Sequence, residues 1–88
     1  MDLKDIERKV ILAIRSTLGK YGEDVEIDLG TLLFQTGLDF SSLDAVMLIV
    51  KIEEIFDIKW PDEKLNFNDT FAVREVVEIV SEILKNEG

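Results

Sequence analysis

The stretch that decides the fold is "TGLDFSSLDAVMLIVKIEEIFDIKW", residues 36–60. Its charged residues keep helical spacing over a length that is too great for an ordinary buried strand. Its apolar residues form a very wide stripe, made by Leu43, Val46, Val50 and Phe56 with Ile49 and Ile52 beside them. We therefore predict a helix over residues 42–56 that is the central element of the core, with Leu43, Val46 and Val50 in its buried stripe.

Two adjacent serines, Ser41 and Ser42, stand at the head of this helix. Serine is a favoured N-cap because its oxygen accepts a hydrogen bond from a free backbone N–H, and Asp44 approximates a capping box with Ser41. Capping needs only one hydroxyl. If Ser41 caps, Ser42 lies in the first turn with its hydroxyl free at the positive end of the helix, where a phosphodiester is favoured. The alternative is that the serines do nothing but cap.

A first helix is predicted over residues 3–18. Apolar side chains recur there at steps of three or four, while Arg15 and other charged residues are left for water. The segment "GKYG" at residues 19–22 ends the helix, because glycine weakens a helix interior and suits its C-terminal cap. The predicted apolar face consists of Leu3, Ile6, Val10, Ile14 and Leu18.

The chain after the central helix is predicted to end in another helix. Pro61 forces Trp60 out of helical geometry, and a single helical turn is predicted near residues 62–67. Asp69 or Thr70 then caps the last helix, whose predicted apolar face is Val73, Val76, Val77, Val80, Ile83 and Leu84. The prediction is one domain, residues 1–88, with an all-α fold: a four-helix bundle of three main helices and one short third helix.

Residues 19–40 form a long connection between the first two helices. The connection begins with acidic residues and then becomes apolar. A loop of this length is unusual in a compact domain and is often functional. We expect its apolar side chains to fasten it across the ends of the helices: Leu29, Leu32, Leu33, Phe34 and Leu38.

The composition argues against several classes of function. The chain has no cysteine and no histidine, which removes disulfides, cysteine zinc sites and Ser-His-Asp catalysis. Its formal net charge of −9 repels nucleic acids and anionic membranes. No apolar run approaches the roughly 20 residues that span a bilayer, and the first residues lack the apolar core of a signal peptide. We expect a cytoplasmic monomer, not inserted in membranes and not bound to nucleic acid, whose partners carry basic patches.

Residues 38–63, "LDFSSLDAVMLIVKIEEIFDIKWPDE", resemble the centre of an acyl carrier protein. The family's usual run is Leu-Gly-x-Asp-Ser-Leu-Asp-x-Val-Glu-Leu, followed by Glu-Glu-x-Phe-x-Ile-x-x-Pro-Asp-Glu. The alignment needs no gap and places Ser42 at the modified serine. The other matching residues are Leu38, Leu43, Asp44, Val46, Leu48, Glu53, Glu54, Phe56, Ile58, Pro61, Asp62 and Glu63.

The resemblance implies a carrier rather than an enzyme. A phosphopantetheinyl transferase would attach the 4′-phosphopantetheine of coenzyme A to Ser42. The thiol of this arm would hold acyl groups as thioesters for acyl-loading and acyl-transfer enzymes of fatty-acid, polyketide or related specialised biosynthesis. Ser41 is a rival attachment point. In this family acyl chains can enter between the helices, so Val46, Val50 and Ile58 are pocket candidates, although plain core packing is the favoured interpretation for each residue taken singly.

Three positions depart from the family's pattern. Asp39 replaces the usual glycine, Ser41 the aspartate before the modified serine, and Met47 a glutamate. The resemblance places partner docking on the second helix, at Asp44, Met47, Lys51, Glu53 and Glu54. Because Met47 and Lys51 interrupt the acidic face, enzymes with basic docking patches should bind this carrier weakly. We therefore expect a specialised carrier with an atypical Ser-Ser-Leu site.

Three other classes of function compete with the carrier. The main alternative is a small acidic helical protein-interaction domain without a prosthetic group, in which both serines are caps. A calcium-binding module is weaker, because residues 23–30 lack the ligand intervals of an EF-hand loop. A hydrolase is weakest, because no nucleophile and base can be paired.

Overall fold

Helices account for most of the computed structural model, which describes residues 1–87. The α-helices are α1 (Leu3–Leu18), α2 (Ser42–Phe56) and α3 (Val73–Glu87), and short 3₁₀ helices occupy Gly19–Glu23 and Asp62–Lys64. Across the described range there is no strand, only an isolated bridge between Leu32 and Ala72. The predicted all-α fold is confirmed, with the short 3₁₀ turn Asp62–Lys64 where a short third helix was expected.

α1 packs against both α2 and α3. Its buried side is Ile6, Val10, Ala13 and Ile14, whereas Leu3 at the start of the predicted face is exposed. The side chain of Asp2 caps the helix by accepting a hydrogen bond from the backbone N–H of Asp5 at 2.9 Å. The predicted bounds of α1 are therefore confirmed, and its first apolar residue is the one position that lies outside the core.

Arg15 does not face water as the helical pattern predicted. Its Nη1 donates hydrogen bonds to the backbone oxygens of Gly22 and Val25, at 2.5 and 2.7 Å. The backbone of Gly22 also lies close to that of Arg15, since a Cβ on Gly22 would lie only 2.6 Å from the backbone oxygen of Arg15. Arg15 thereby holds the beginning of the long connection against the end of α1.

The buried side of α2 is the predicted one only in part: Ile49, Ile52 and Phe56 are buried as predicted. Leu43, Val46 and Val50 are 67%, 56% and 46% exposed, so the prediction that they form the buried stripe is wrong. The residues that face the core are Ala45, Leu48, Ile49, Ile52 and Phe56. Because α2 is apolar on most of its circumference, periodicity alone could not tell its inner face from its outer face. The helix ends, as predicted, at Phe56, where Asp57 takes a left-handed conformation with φ of 54°.

The long connection is fastened to the beginning of α3 by backbone hydrogen bonds. Val73 N–H donates to the oxygen of Thr31 and Arg74 N–H to that of Leu29, both at 3.0 Å. The predicted cap by Asp69 or Thr70 is therefore wrong: the helix begins at Val73, and carbonyls distant in sequence accept its first N–H groups. Of the side chains expected to fasten the connection, Leu33 is buried, Leu29 is exposed, and the others are half-buried.

The core is formed by the inner sides of the helices together with aromatic residues from the connections. Trp60, Phe40 and Phe71 are buried although none belongs to an α-helix. The predicted face of α3 is confirmed, with its four valines buried and Ile83 and Leu84 partly buried against them. Over residues 1–87, no helix is both long and apolar enough to cross a membrane.

Candidate functional site

The N-terminus of α2 carries a complete capping box. The Ser41 hydroxyl accepts a hydrogen bond from the backbone N–H of Asp44 at 3.1 Å and donates one to its Oδ2 at 3.0 Å. That same carboxylate oxygen accepts the backbone N–H of Ser41 at 2.9 Å. The Ser41 side chain therefore has both a donor and an acceptor partner, and the predicted cap is confirmed.

Ser42 is the first residue of α2 and differs from its neighbour in having no such role. Its side chain is exposed, and within residues 1–87 its hydroxyl makes no hydrogen bond. It lies where the unpaired N–H groups and the dipole of a helix favour an anion. A phosphodiester on this oxygen would therefore fit, because the site is open to solvent and is favourable for negative charge.

The turn that leads into α2 explains one departure from the family pattern. Asp39 has a φ of 56°, in the left-handed region, where the family's usual glycine carries no steric penalty. Hydrogen bonds on both sides fix this conformation: Leu38 N–H donates to Leu32 O at 2.9 Å, and Phe40 N–H donates to Leu33 O at 2.8 Å. Asp is among the few other residues that adopt this region readily, so the turn is kept at a modest cost.

An open groove of about 520 Å³ lies beside Ser42. Val46 and Ala45 of α2 form one side, and Asn66 and Asp69 lie on the segment that faces it. Phe34, Phe40 and Phe67 also line it. The groove thus offers aromatic surface and a polar rim within reach of anything attached to Ser42.

The structure does not bring the three pocket candidates together. Val46 lines the groove beside Ser42. Val50 is exposed on the outer side of α2, and Ile58 is buried in the core. Only Val46 is therefore placed to contact a group attached to Ser42 through this groove, and its role there stays a prediction.

The five predicted docking residues differ in how available they are. Met47 and Glu54 are exposed, and Lys51 is half-buried. Asp44 is engaged by Ser41. The carboxylate of Glu53 accepts the backbone N–H of Trp60 at 2.8 Å, so it braces the chain after α2. Within residues 1–87, no group of three or more acidic side chains is placed to hold a metal ion.

Sequence reasoning missed an apolar surface on the outer side of α2. We call it the outer apolar face, and it consists of Leu43, Val46, Met47 and Val50, all exposed. These residues follow helical steps of three and four, so they share a side that begins next to Ser42. The sequence did contain a signal for this surface, because the predicted helix has more apolar residues than one buried side can hold.

Known proteins similar over nearly the whole chain include two acyl carrier proteins. The acyl carrier protein of Rickettsia bellii (strain OSU 85-389) is 30% identical over 84 residues, which cover 96% of this chain and 94% of the relative. That of Syntrophobacter fumaroxidans (strain DSM 10017 / MPOB) is 32% identical over 88 residues, covering 100% and 99%. No protein-family model matches the chain, and no solved structure matches it significantly.

Proposed function

The chain belongs to the acyl carrier protein family and is a carrier rather than an enzyme; from this premise we propose that it holds acyl groups on a 4′-phosphopantetheine arm attached to Ser42. The observation that carries the proposal is the contrast between the adjacent serines. The Ser41 hydroxyl is engaged twice by Asp44, at 3.1 and 3.0 Å. The Ser42 hydroxyl is exposed and has no comparable partner.

The attachment forms one bond and breaks another. Ser42 Oγ bonds to the phosphorus of coenzyme A that bears pantetheine, the P–O bond of the pyrophosphate bridge breaks, and adenosine 3′,5′-bisphosphate leaves. The hydroxyl proton passes to a base of the phosphopantetheinyl transferase, because this chain contains no histidine to accept it near neutral pH. Ser42 therefore supplies the nucleophilic oxygen and its position at the helix terminus, while the transferase supplies the acid–base groups.

The residues around Ser42 would hold the attached group in place. The N-terminus of α2 favours the phosphodiester charge, and the Ser41–Asp44 capping box keeps the first turn ordered. Once attached, the arm supplies a thiol on which acyl groups are carried as thioesters. This explains how a chain without cysteine can take part in thioester chemistry.

Partner enzymes would dock on α2 beside Ser42. The outer apolar face supplies the contact surface because its four residues are exposed and begin at the attachment site. Lys51 weakens the attraction of this side for basic patches. Apolar contact with a dedicated set of acyl-loading and acyl-transfer enzymes therefore fits the surface better than general electrostatic capture. The proposed pathway is specialised fatty-acid, polyketide or related biosynthesis in the cytoplasm.

Treatment of the purified chain with coenzyme A and a promiscuous phosphopantetheinyl transferase tests the attachment. Wild type and Ser41→Ala should gain the mass of one phosphopantetheine, and Ser42→Ala should gain none while remaining folded. If Ser42→Ala gained the adduct and Ser41→Ala did not, the assignment would be wrong. If no form gained it, an acidic interaction domain without a prosthetic group would be the better account.

A further inference from the structure

A row of four phenylalanines lines the groove and a small internal cavity next to it. We call Phe34, Phe40, Phe67 and Phe71 the phenylalanine cluster. The ring centres of Phe34 and Phe40 are 6.4 Å apart, those of Phe34 and Phe67 5.9 Å, and those of Phe67 and Phe71 4.7 Å. Edge-to-face and tilted contacts at such distances are favourable, so the cluster connects residues 34–40 to residues 67–71 as a packed unit.

The space behind this cluster is filled. Phe34, Phe67 and Phe71 line an internal cavity together with Ile49, Ile52 and Trp60, and its volume is only about 10 Å³. Such a volume holds at most about one water-sized group. The interior below Ser42 therefore has no room for a long hydrocarbon chain unless an aromatic ring leaves its place.

The groove in front of the cluster suits a different kind of cargo. Ser42, Leu65 and Asn66 on its walls are exposed, so a long chain lying there would keep much of its surface in water and gain little. A short chain would instead cover Phe34, Phe40 and Val46 near the attachment site. Asn66 and Asp69 at the rim can bond to oxygen-bearing or hydroxylated groups.

We infer that this carrier accepts short acyl groups in the groove beside Ser42, and that the phenylalanine cluster, with Phe67 at its centre, excludes long acyl chains from the interior. The inference rests on the proposed attachment of the arm to Ser42. Phe34 and Phe67 both line the groove and the internal cavity. Phe67 is assigned as the specificity-determining residue because it also contacts Phe71, which lines the internal cavity alone. We expect removal of its ring to join the two spaces, because it lines both of them.

The test compares the thermal stability of loaded carriers. A transferase transfers the acyl-phosphopantetheine of acetyl-, hexanoyl- or palmitoyl-coenzyme A, and intact mass confirms loading. Burial of the acyl chain stabilises only the folded state and so raises Tm. For wild type, Tm should rise from the acetyl to the hexanoyl form and should not rise further in the palmitoyl form. A wild-type palmitoyl form that melts several degrees above the hexanoyl form would overturn the inference.

Two variants of Phe67 test the role of the cluster. In Phe67→Ala, the palmitoyl form should melt several degrees above the hexanoyl form; Phe67→Leu is a milder opening if Ala prevents folding. Phe56→Leu is the matched control, because Phe56 is buried but lines neither space, and it should behave like wild type. No palmitoyl-dependent rise in folded Phe67 variants would overturn the inference. Absence of any mass gain in wild type would overturn the proposed function together with it.

Discussion

Replacing Ser41 with alanine should destabilise the protein without preventing its modification. The change removes two interactions of the Ser41 hydroxyl, the bond from the Asp44 N–H at 3.1 Å and the bond to Asp44 Oδ2 at 3.0 Å. It leaves the bond from the Ser41 backbone N–H to Asp44 Oδ2 at 2.9 Å. Half of the capping box is therefore lost, and an N–H at the beginning of α2 loses its partner.

The expected cost is about 1 kcal/mol, the typical value for replacing a serine N-cap with alanine. For a domain of this size, 1 kcal/mol corresponds to a fall in Tm of about 4–8 °C. Ser42→Ala is the matched control on the adjacent residue. It breaks no hydrogen bond of the described structure, and alanine has the better helix propensity by a few tenths of a kcal/mol. The Ser42 variant should therefore be as stable as wild type or slightly more stable.

Urea denaturation followed by circular dichroism measures both variants. The transition midpoint should move down for Ser41→Ala with an unchanged m-value, since the change affects a helix end and not the surface exposed on unfolding. Equal midpoints for wild type and Ser41→Ala would refute the capping argument. A loss of stability in Ser42→Ala as large as in Ser41→Ala would refute the statement that the second hydroxyl is structurally idle.

Two further changes test the turn and the docking surface. Asp39→Gly should stabilise the apo chain by up to about 1 kcal/mol, and Asp39→Ala should destabilise it by about as much. The reason is that φ is 56° at this position, where glycine alone has no steric penalty. If both variants matched wild type in urea, the turn would not need a left-handed residue. Met47→Glu combined with Lys51→Ala should speed association with a general fatty-acid synthase enzyme at low salt, and the gain should shrink as salt rises. Equal association rates at low salt would show that this side of α2 does not choose the partner.

The sequence predicted α1 and α2 well because their signals are local. In α1, apolar residues at helical steps end at Gly19. In α2, the serine cap marks the beginning, and Pro61 requires the helix to end before Trp60. The cap of α3 was predicted wrongly because its partners are not local. The N–H groups of Val73 and Arg74 bond to carbonyls of the connection near residues 29–31. The donors and acceptors are too far apart in the sequence for a local pattern to relate them.

Part of the candidate site followed from spacing and part did not. The capping by Ser41 and the unengaged hydroxyl of Ser42 follow from the interval to Asp44 and from the start of the helix. The inner and outer sides of α2 could not be separated, because an almost wholly apolar helix gives no contrast and only tertiary packing chooses the side that is buried. The phenylalanine cluster was also invisible, since its members come from residues 34–40 and 67–71 and meet only after folding.

Attachment of the arm to Ser42 can be measured on the protein isolated from its native host. Intact-mass spectrometry should show the chain plus one phosphopantetheine, with or without an acyl group on its thiol. Fragmentation should place the modification on Ser42 and leave Ser41 unmodified. A native protein with the bare mass of the chain, or an adduct located on Ser41, would contradict the account.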